Sequence, residues 1–206
     1  MHPAHSSGPI NHFQVLGLAD QSYNVDAKAL KSQYKRLMVQ YHPDRYNSLH
    51  DPSAAPTGGE NGHAPKSLDE LHELSSSITR AYDVLSDPHS RAEHMLELSG
   101  AAITENCAEL VDMALLMEVM ELREEIDEAT QDAGVLRTLL GQNEQRMEHV
   151  VKRLGEAFDG DGCGGGGNIE EARRLTAQLQ YWSSKKQSGA QFVFQRRNPF
   201  RESGLA

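Results

Sequence analysis

The sequence predicts an all-α protein: a helical hairpin near the N-terminus and a three-helix bundle after it. Apolar residues recur at spacings of three and four along each long segment, the repeat of a helix with one buried face. Helix punctuation falls where that repeat begins and ends, with Asp26, Ser67, Asp87 and Asn168 in front and Gly17, Pro43 and Gly100 behind. No stretch shows a convincing run of the period-two alternation a half-buried strand needs.

Residues 1–10, rich in His, Ser, Pro and Gly, are expected to be a disordered lead-in. Asn11 to Leu18 carries Phe13, Leu16 and Leu18, a short helix that Gly17 is suited to end. Asp26 is the expected N-cap of a helix running to Tyr41, with Leu30, Tyr34, Leu37, Met38 and Tyr41 on one apolar face. At ~100° per residue, Lys28, Lys35 and Arg36 project to the far side. Pro43 lacks a backbone donor and forces His42 out of the helical region, so the helix must stop there. Residues 47–66, dense in Pro, Gly, Ser and Ala, are expected to be a flexible insertion, since added loop length costs little free energy.

Ser67 and Glu70 have capping-box spacing and open the next helix, with Leu68, Leu71, Leu74, Ile78, Ala81, Tyr82 and Leu85 at helical positions. Its apolar face matches that of the preceding helix, so the two are expected to pack antiparallel with His42-Pro43-Asp44 near the tip. Asp87-Pro88 ends it and starts another, which has Met95, Leu96 and Leu98 on one side and stops at Gly100. Three long periodic segments follow, roughly residues 105–131, 135–158 and 168–186, the last two joined by the glycine-rich stretch around Cys163. From Gln191 onward no period is clear and Pro199 breaks any helix, so residues 189–206 are expected to be a loose tail.

Composition narrows the function classes. A formal net charge of −10 argues against nucleic-acid binding, which needs a basic face. No apolar run approaches the ~20 residues that cross a bilayer. Cys107 and Cys163 stand far apart, and the ten histidines are scattered singly, so neither a metal site nor a disulfide framework is expected. No Lys or Arg precedes Lys28, so neither a secretory n-region nor an Arg-rich transit peptide is visible.

In the first long segment of the second unit, Leu115, Val119, Leu122 and Ile126 fall in a narrow arc, as a bundle core face should. Leu116, Met120 and Glu124 step along the flank and far side, with Met117, Glu121 and Glu128 beside them. One reading is a wide core arc that takes in Leu116, with the methionines exposed by chance; the other is an interface, which the flexible, polarisable methionine side chain suits. Between Glu105 and Glu128 there are nine Asp or Glu against a single base, Arg123. Such a run is ordinarily just a solvated face; beside apolar residues, it also suits electrostatic steering of a basic partner. Tyr181 projects away from the stripe of Leu175, Leu179 and Trp182 and is a candidate aromatic anchor.

These residues carry a resemblance. Phe13-Gln14-Val15-Leu16-Gly17-Leu18, Tyr34-Lys35-Arg36-Leu37, His42-Pro43-Asp44 and Ala81-Tyr82-Asp83-Val84-Leu85-Ser86-Asp87-Pro88 together resemble a J-domain, the module that stimulates ATP hydrolysis by heat-shock protein 70 chaperones. Arg91-Ala92-Glu93-His94-Met95-Leu96 and residues 116–128 resemble the HscB/Jac-type co-chaperones of iron–sulfur cluster assembly. The resemblance implies a J-domain over residues 11–87 and a scaffold-binding helical bundle over 88–188. It implies chaperone contacts at Lys28, Lys35, Arg36, His42, Pro43, Asp44 and Arg45. Contacts to the iron–sulfur scaffold protein fall on Leu116, Met117, Met120, Glu121, Glu124, Glu128 and Tyr181. It implies no catalytic site and no bound cofactor, the cluster belonging to the scaffold and the ATP to the chaperone. It also implies the mitochondrial matrix, with the cytoplasm as the alternative. The insertion at 47–66 is longer than the compact bacterial pattern, and the cysteine-rich zinc module of some animal members is absent.

Two other functions compete. His42 and Asp44 could form the acid–base pair of a hydrolase, but no nucleophile, oxyanion feature or phosphate loop accompanies them. A general J-domain adaptor, whose bundle dimerises or binds other clients, would use Met117 and Met120 equally well.

Overall fold

A computed structural model describes residues 9–42, 68–103, 110–129, 132–160 and 167–197, with side chains in the last stretch as far as Ser183. The described residues are helical, without a strand: α1 His12–Val15, α2 Ala27–Tyr41, α3 Leu68–Ser86, α4 Pro88–Leu98, α5 Met113–Glu128, α6 Ala133–Asp159 and α7 Ile169–Arg197. The all-α class and the bundle are as expected. The chain forms two compact units, Met1–His94 and Met95–Ala206.

In the first unit, α1 opens on Asn11, whose side chain accepts from the amides of Phe13 and Gln14. It closes at Gly17, where a φ of 65° requires a residue without a Cβ penalty. Asp26 caps α2 by accepting from the Lys28 amide at 2.9 Å, which satisfies a donor the helix itself cannot. His42 leaves α2 with φ -67° and ψ 133°, the extended conformation that Pro43 imposes on its neighbour.

α2 and α3 run antiparallel, as their contacts require. Tyr34 stacks on Tyr82 with ring centroids 4.3 Å apart. One turn further along α2, Met38 meets α3 one to two turns earlier, its sulfur accepting weakly from Ser75 and Thr79 at 3.9 and 4.0 Å. Leu30, Leu71, Ile78, Ala81 and Leu85 are buried between the helices, together with Phe13 and Leu16 of the α1 region. Each large side chain among them contributes roughly 1.5–3 kcal/mol.

The expected domain boundary before Pro88 lies instead between His94 and Met95, inside α4. The first turns of α4 are tied back to the hairpin. The Asp87 carboxylate caps them, accepting from Ser90 N–H at 2.8 Å. Arg91, only 9 % exposed, donates to the carbonyls of Leu85 at 2.7 Å and Tyr23 at 2.9 Å. Its guanidinium also lies 5.4 Å from the Tyr23 ring centroid, within cation–π range. Burial pushes the pKa of the Tyr23 hydroxyl well up, with the Arg91 charge opposing, and the hydroxyl donates to Pro88 O at 3.2 Å. Buried His94 accepts the His12 amide at Nε2, 3.1 Å.

The second unit is built on the antiparallel pair α6–α7. Asn143 is fully buried and donates to Trp182 O at 3.1 Å. Ten residues further along α6, Arg153 pairs with Glu171, eleven residues earlier on α7. Leu136, Leu139, Val150, Leu154, Leu175, Leu179 and Trp182 fill this pair, and Arg146 covers the indole, its guanidinium 5.3 Å from the Trp182 centroid. α7 starts on Asn168, which accepts from the Glu171 amide at 3.1 Å, as the spacing predicted.

Helix limits differ from expectation in three places. α5 begins at Met113 rather than near 105. Its start is set by Asp112, which takes up the Leu115 amide at 2.8 Å as an N-cap. α6 begins at Ala133, where the Asp132 carboxylate accepts from Gly134 and Val135. The tail expected from residue 189 is helical as far as Arg197: nothing between Gln191 and Arg197 breaks a helix already running, and Pro199 comes only afterwards. The insertion at 47–66, the Ser67 cap and the glycine run to Gly166 lie outside the described residues.

Candidate functional site

The first predicted surface belongs to α2. Lys28, Lys35 and Arg36 are exposed while Leu30 is buried, so the 3.6-residue repeat turns the three cations away from the hairpin core. Val39 stands among them, 65 % exposed. It is absent from the sequence-derived set, although nine residues after Leu30 is half a revolution round the helix. His42, half-buried, marks the end of this surface. Pro43, Asp44 and Arg45 lie outside the described residues.

The second predicted surface belongs to α5. Leu115, Val119, Leu122 and Ile126 are between 3 and 9 % exposed, and form the core stripe predicted for them. The opposite side is open. Met117 is 56 % and Met120 61 % exposed, with Glu121, Glu124 and Glu128 exposed in succession beyond them. Leu116, on the flank, is half-buried.

The structure adds Met113, at 71 % the most exposed of the described methionines. It precedes Met117 by four residues and Met120 by seven, so three thioethers share one face over about 10 Å of helix axis. Met113 is absent from the sequence-derived set, although it lies inside the segment projected as a helix. The signal for it is the spacing of four to Met117 and seven to Met120, which puts it on their face wherever the helix starts.

Salt bridges anchor the other sides of α5. Glu118 pairs with Arg146 of α6 at 3.0 Å, and Arg123 reaches Asp127 at 3.9 Å on the helix surface. Glu121, Glu124 and Glu128 thus form an acidic continuation of the methionine patch, on the side of α5 away from its core. Tyr181 is half-buried on α7, between the exposed Gln180 and the fully enclosed Trp182. It sits on a different helix from the other six predicted scaffold contacts, which α5 alone brings together.

Among the described residues, no group of three or more His, Cys, Asp or Glu is placed to hold a metal ion. None of the described helices is long and apolar enough to cross a membrane. An exposed apolar patch rimmed by carboxylates has the composition of a protein-docking surface.

The family model described as the HSCB C-terminal oligomerisation domain matches residues 111–188, which include all of α5 and α6. The co-chaperone protein HscB of Proteus mirabilis is 32 % identical over 141 residues, 68 % of this chain and 72 % of that protein. Human co-chaperone protein HscB superposes with a TM-score of 0.72 at 21 % identity, over 94 % of this chain and 86 % of that one. The HscB chaperone of Vibrio cholerae gives 0.69 at 24 % identity, over 91 % and 99 %.

Proposed function

The chain belongs to the HscB co-chaperone family, and we propose that it bridges two partners in iron–sulfur cluster assembly. The α5 face holds the scaffold protein on which the cluster is built. The basic face of α2, with His42-Pro43-Asp44 at its end, engages a heat-shock protein 70 chaperone and stimulates its ATPase. Hydrolysis by the chaperone then fastens it to the delivered scaffold and favours cluster release.

The observation that carries this reading is the open side of α5. Three exposed methionines followed by three exposed carboxylates contribute nothing to the core of the bundle. Flexible thioethers adapt to an apolar recess on a partner, and the carboxylates favour a recess ringed by Lys or Arg. On the α2 side, three cations turned to solvent suit an acidic chaperone surface. Asp44 supplies a carboxylate for charge-assisted hydrogen bonds to a chaperone arginine. Holding both partners on one chain raises their effective concentration, so modest affinity at each surface suffices.

The test is calorimetric titration of purified scaffold into the full chain, beside an ATPase assay with the chaperone. Saturable 1:1 binding with stimulated hydrolysis is the expected result. Self-association or capture of unfolded polypeptides, without scaffold binding, would replace this reading by that of a general J-domain adaptor.

A further inference from the structure

We propose that Met113, Met117 and Met120 form an oxidation-sensitive site, at which a peroxide converts the thioethers to sulfoxides and weakens docking at α5. The inference rests on the reading of α5 as the scaffold-binding face.

Exposure singles these three out. They are 71, 56 and 61 % exposed and share one face of one helix. The other described methionines are not presented in this way. Met38 is half-buried against α3, its sulfur in contact with the hydroxyls of Ser75 and Thr79. Met95 and Met147 are half-buried as well. A peroxide must reach the sulfur lone pair directly, so accessible thioethers react first.

The reaction is balanced by the peroxide alone. The sulfur lone pair attacks one peroxide oxygen, the O–O bond breaks and the S–O bond forms. Proton transfer to the departing oxygen releases water from hydrogen peroxide, or an alcohol from an organic hydroperoxide. Sulfur loses two electrons and the peroxide gains them.

The consequence is local to docking. Each sulfoxide places a strong dipole and a hydrogen-bond acceptor where an adaptable apolar group stood. An apolar recess on the partner offers it no donor, so its burial is penalised. The fold is spared, because all three residues lie opposite the buried stripe of Leu115, Val119, Leu122 and Ile126.

The experiment treats the full chain with graded hydrogen peroxide, removes the peroxide with catalase and measures two quantities. Peptide mapping by mass spectrometry gives the order of oxidation, and titration with untreated scaffold gives the affinity. Met113, Met117 and Met120 are expected to oxidise several-fold faster than Met38, Met95 and Met147. Affinity should fall by at least about tenfold with an unchanged far-ultraviolet circular dichroism spectrum. A variant carrying Met113→Leu, Met117→Leu and Met120→Leu supplies the control through its ratio of affinities after and before peroxide, which should stay near one.

Earlier oxidation of the half-buried methionines would overturn the inference. So would an equal loss of affinity in the leucine variant. Binding that survives full conversion to sulfoxide refutes the inference and leaves the docking reading standing. Absence of binding before any peroxide is added refutes both.

Discussion

α2 and α5 each bury one face and turn the other to solvent, and the two free faces differ in kind. On α2 the free side carries Lys28, Lys35 and Arg36, with Val39 as its exposed large apolar residue. On α5 it carries three exposed methionines and then three carboxylates. A charged free face is what any solvated helix displays, so it says little by itself about binding. A methionine face is different, because water opposes it and the core of its own bundle does not use it. The proposed function is therefore written more legibly on α5 than on α2, where it depends on the His42-Pro43-Asp44 motif.

The comparison is broken most sharply at that motif. Asp44→Asn keeps the size and removes the charge, and is expected to reduce stimulation of the chaperone ATPase to the basal rate. Scaffold affinity should be unchanged, since the surface proposed for the scaffold lies on α5. Single-turnover ATPase assays and calorimetry on the same preparation decide it. Loss of both activities would mean the two surfaces do not act separately.

The complementary change is Leu116→Ala with Met117→Ala and Met120→Ala. Truncating a cluster of interface anchors costs about 2–4 kcal/mol, a loss of roughly 30- to 1000-fold in scaffold affinity. The chain should remain folded, because Met117 and Met120 are more than half exposed, and Leu116 lies on the flank of the buried stripe. Stimulation of the chaperone by the unattached J-domain surface should persist. Undiminished scaffold capture in a pull-down would remove α5 from the interface.

A third change separates folding from docking within the first unit. Arg91→Ala removes the guanidinium donor to the carbonyls of Leu85 and Tyr23, the latter keeping the Val25 amide, and strips the cation from the Tyr23 ring. Losing two charged hydrogen bonds in a buried setting is expected to cost about 3 kcal/mol of stability in that unit. Chemical denaturation followed by a probe in the first unit should show it. Scaffold affinity of the still-folded chain should stay as it was.

These residues also mark how far the sequence could be read. Capping and breaking signals were legible because they act within a few residues: Asp26, Gly17 and Asn168 sit where their local chemistry put them, and His42 is extended because Pro43 follows it. The stripe of Leu115, Val119, Leu122 and Ile126 was legible because periodicity alone defines it. Arg91 was not, since its burial depends on carbonyls supplied by the sequence-distant Tyr23 and by Leu85. Nor was Asn143, whose Nδ2 donates to Trp182 O across the α6–α7 pair. Met113 lay between: its spacing of four and seven to Met117 and Met120 puts it on their face, a periodic signal that was present but not singled out. The continuation of α7 to Arg197 was hidden because helicity there rests on extending an existing helix, which leaves no periodic trace.

The smallest effect is the most direct comparison of the two faces. Raising ionic strength from about 0.05 to 0.5 M shortens the Debye length from roughly 14 to 4 Å, which screens exposed charges on both helices. If the α2 surface works by charge, the chaperone concentration needed for half-maximal stimulation should rise by about an order of magnitude. Scaffold binding should weaken too, because Glu121, Glu124 and Glu128 are accessible, but only severalfold, since the contribution of the three thioethers is apolar and insensitive to screening. Replacing those carboxylates together by glutamine should abolish the remaining salt dependence of scaffold binding while retaining its apolar part. A scaffold affinity that ignores salt from the start would leave the acidic run as a solvated face, with the methionines alone as the docking element.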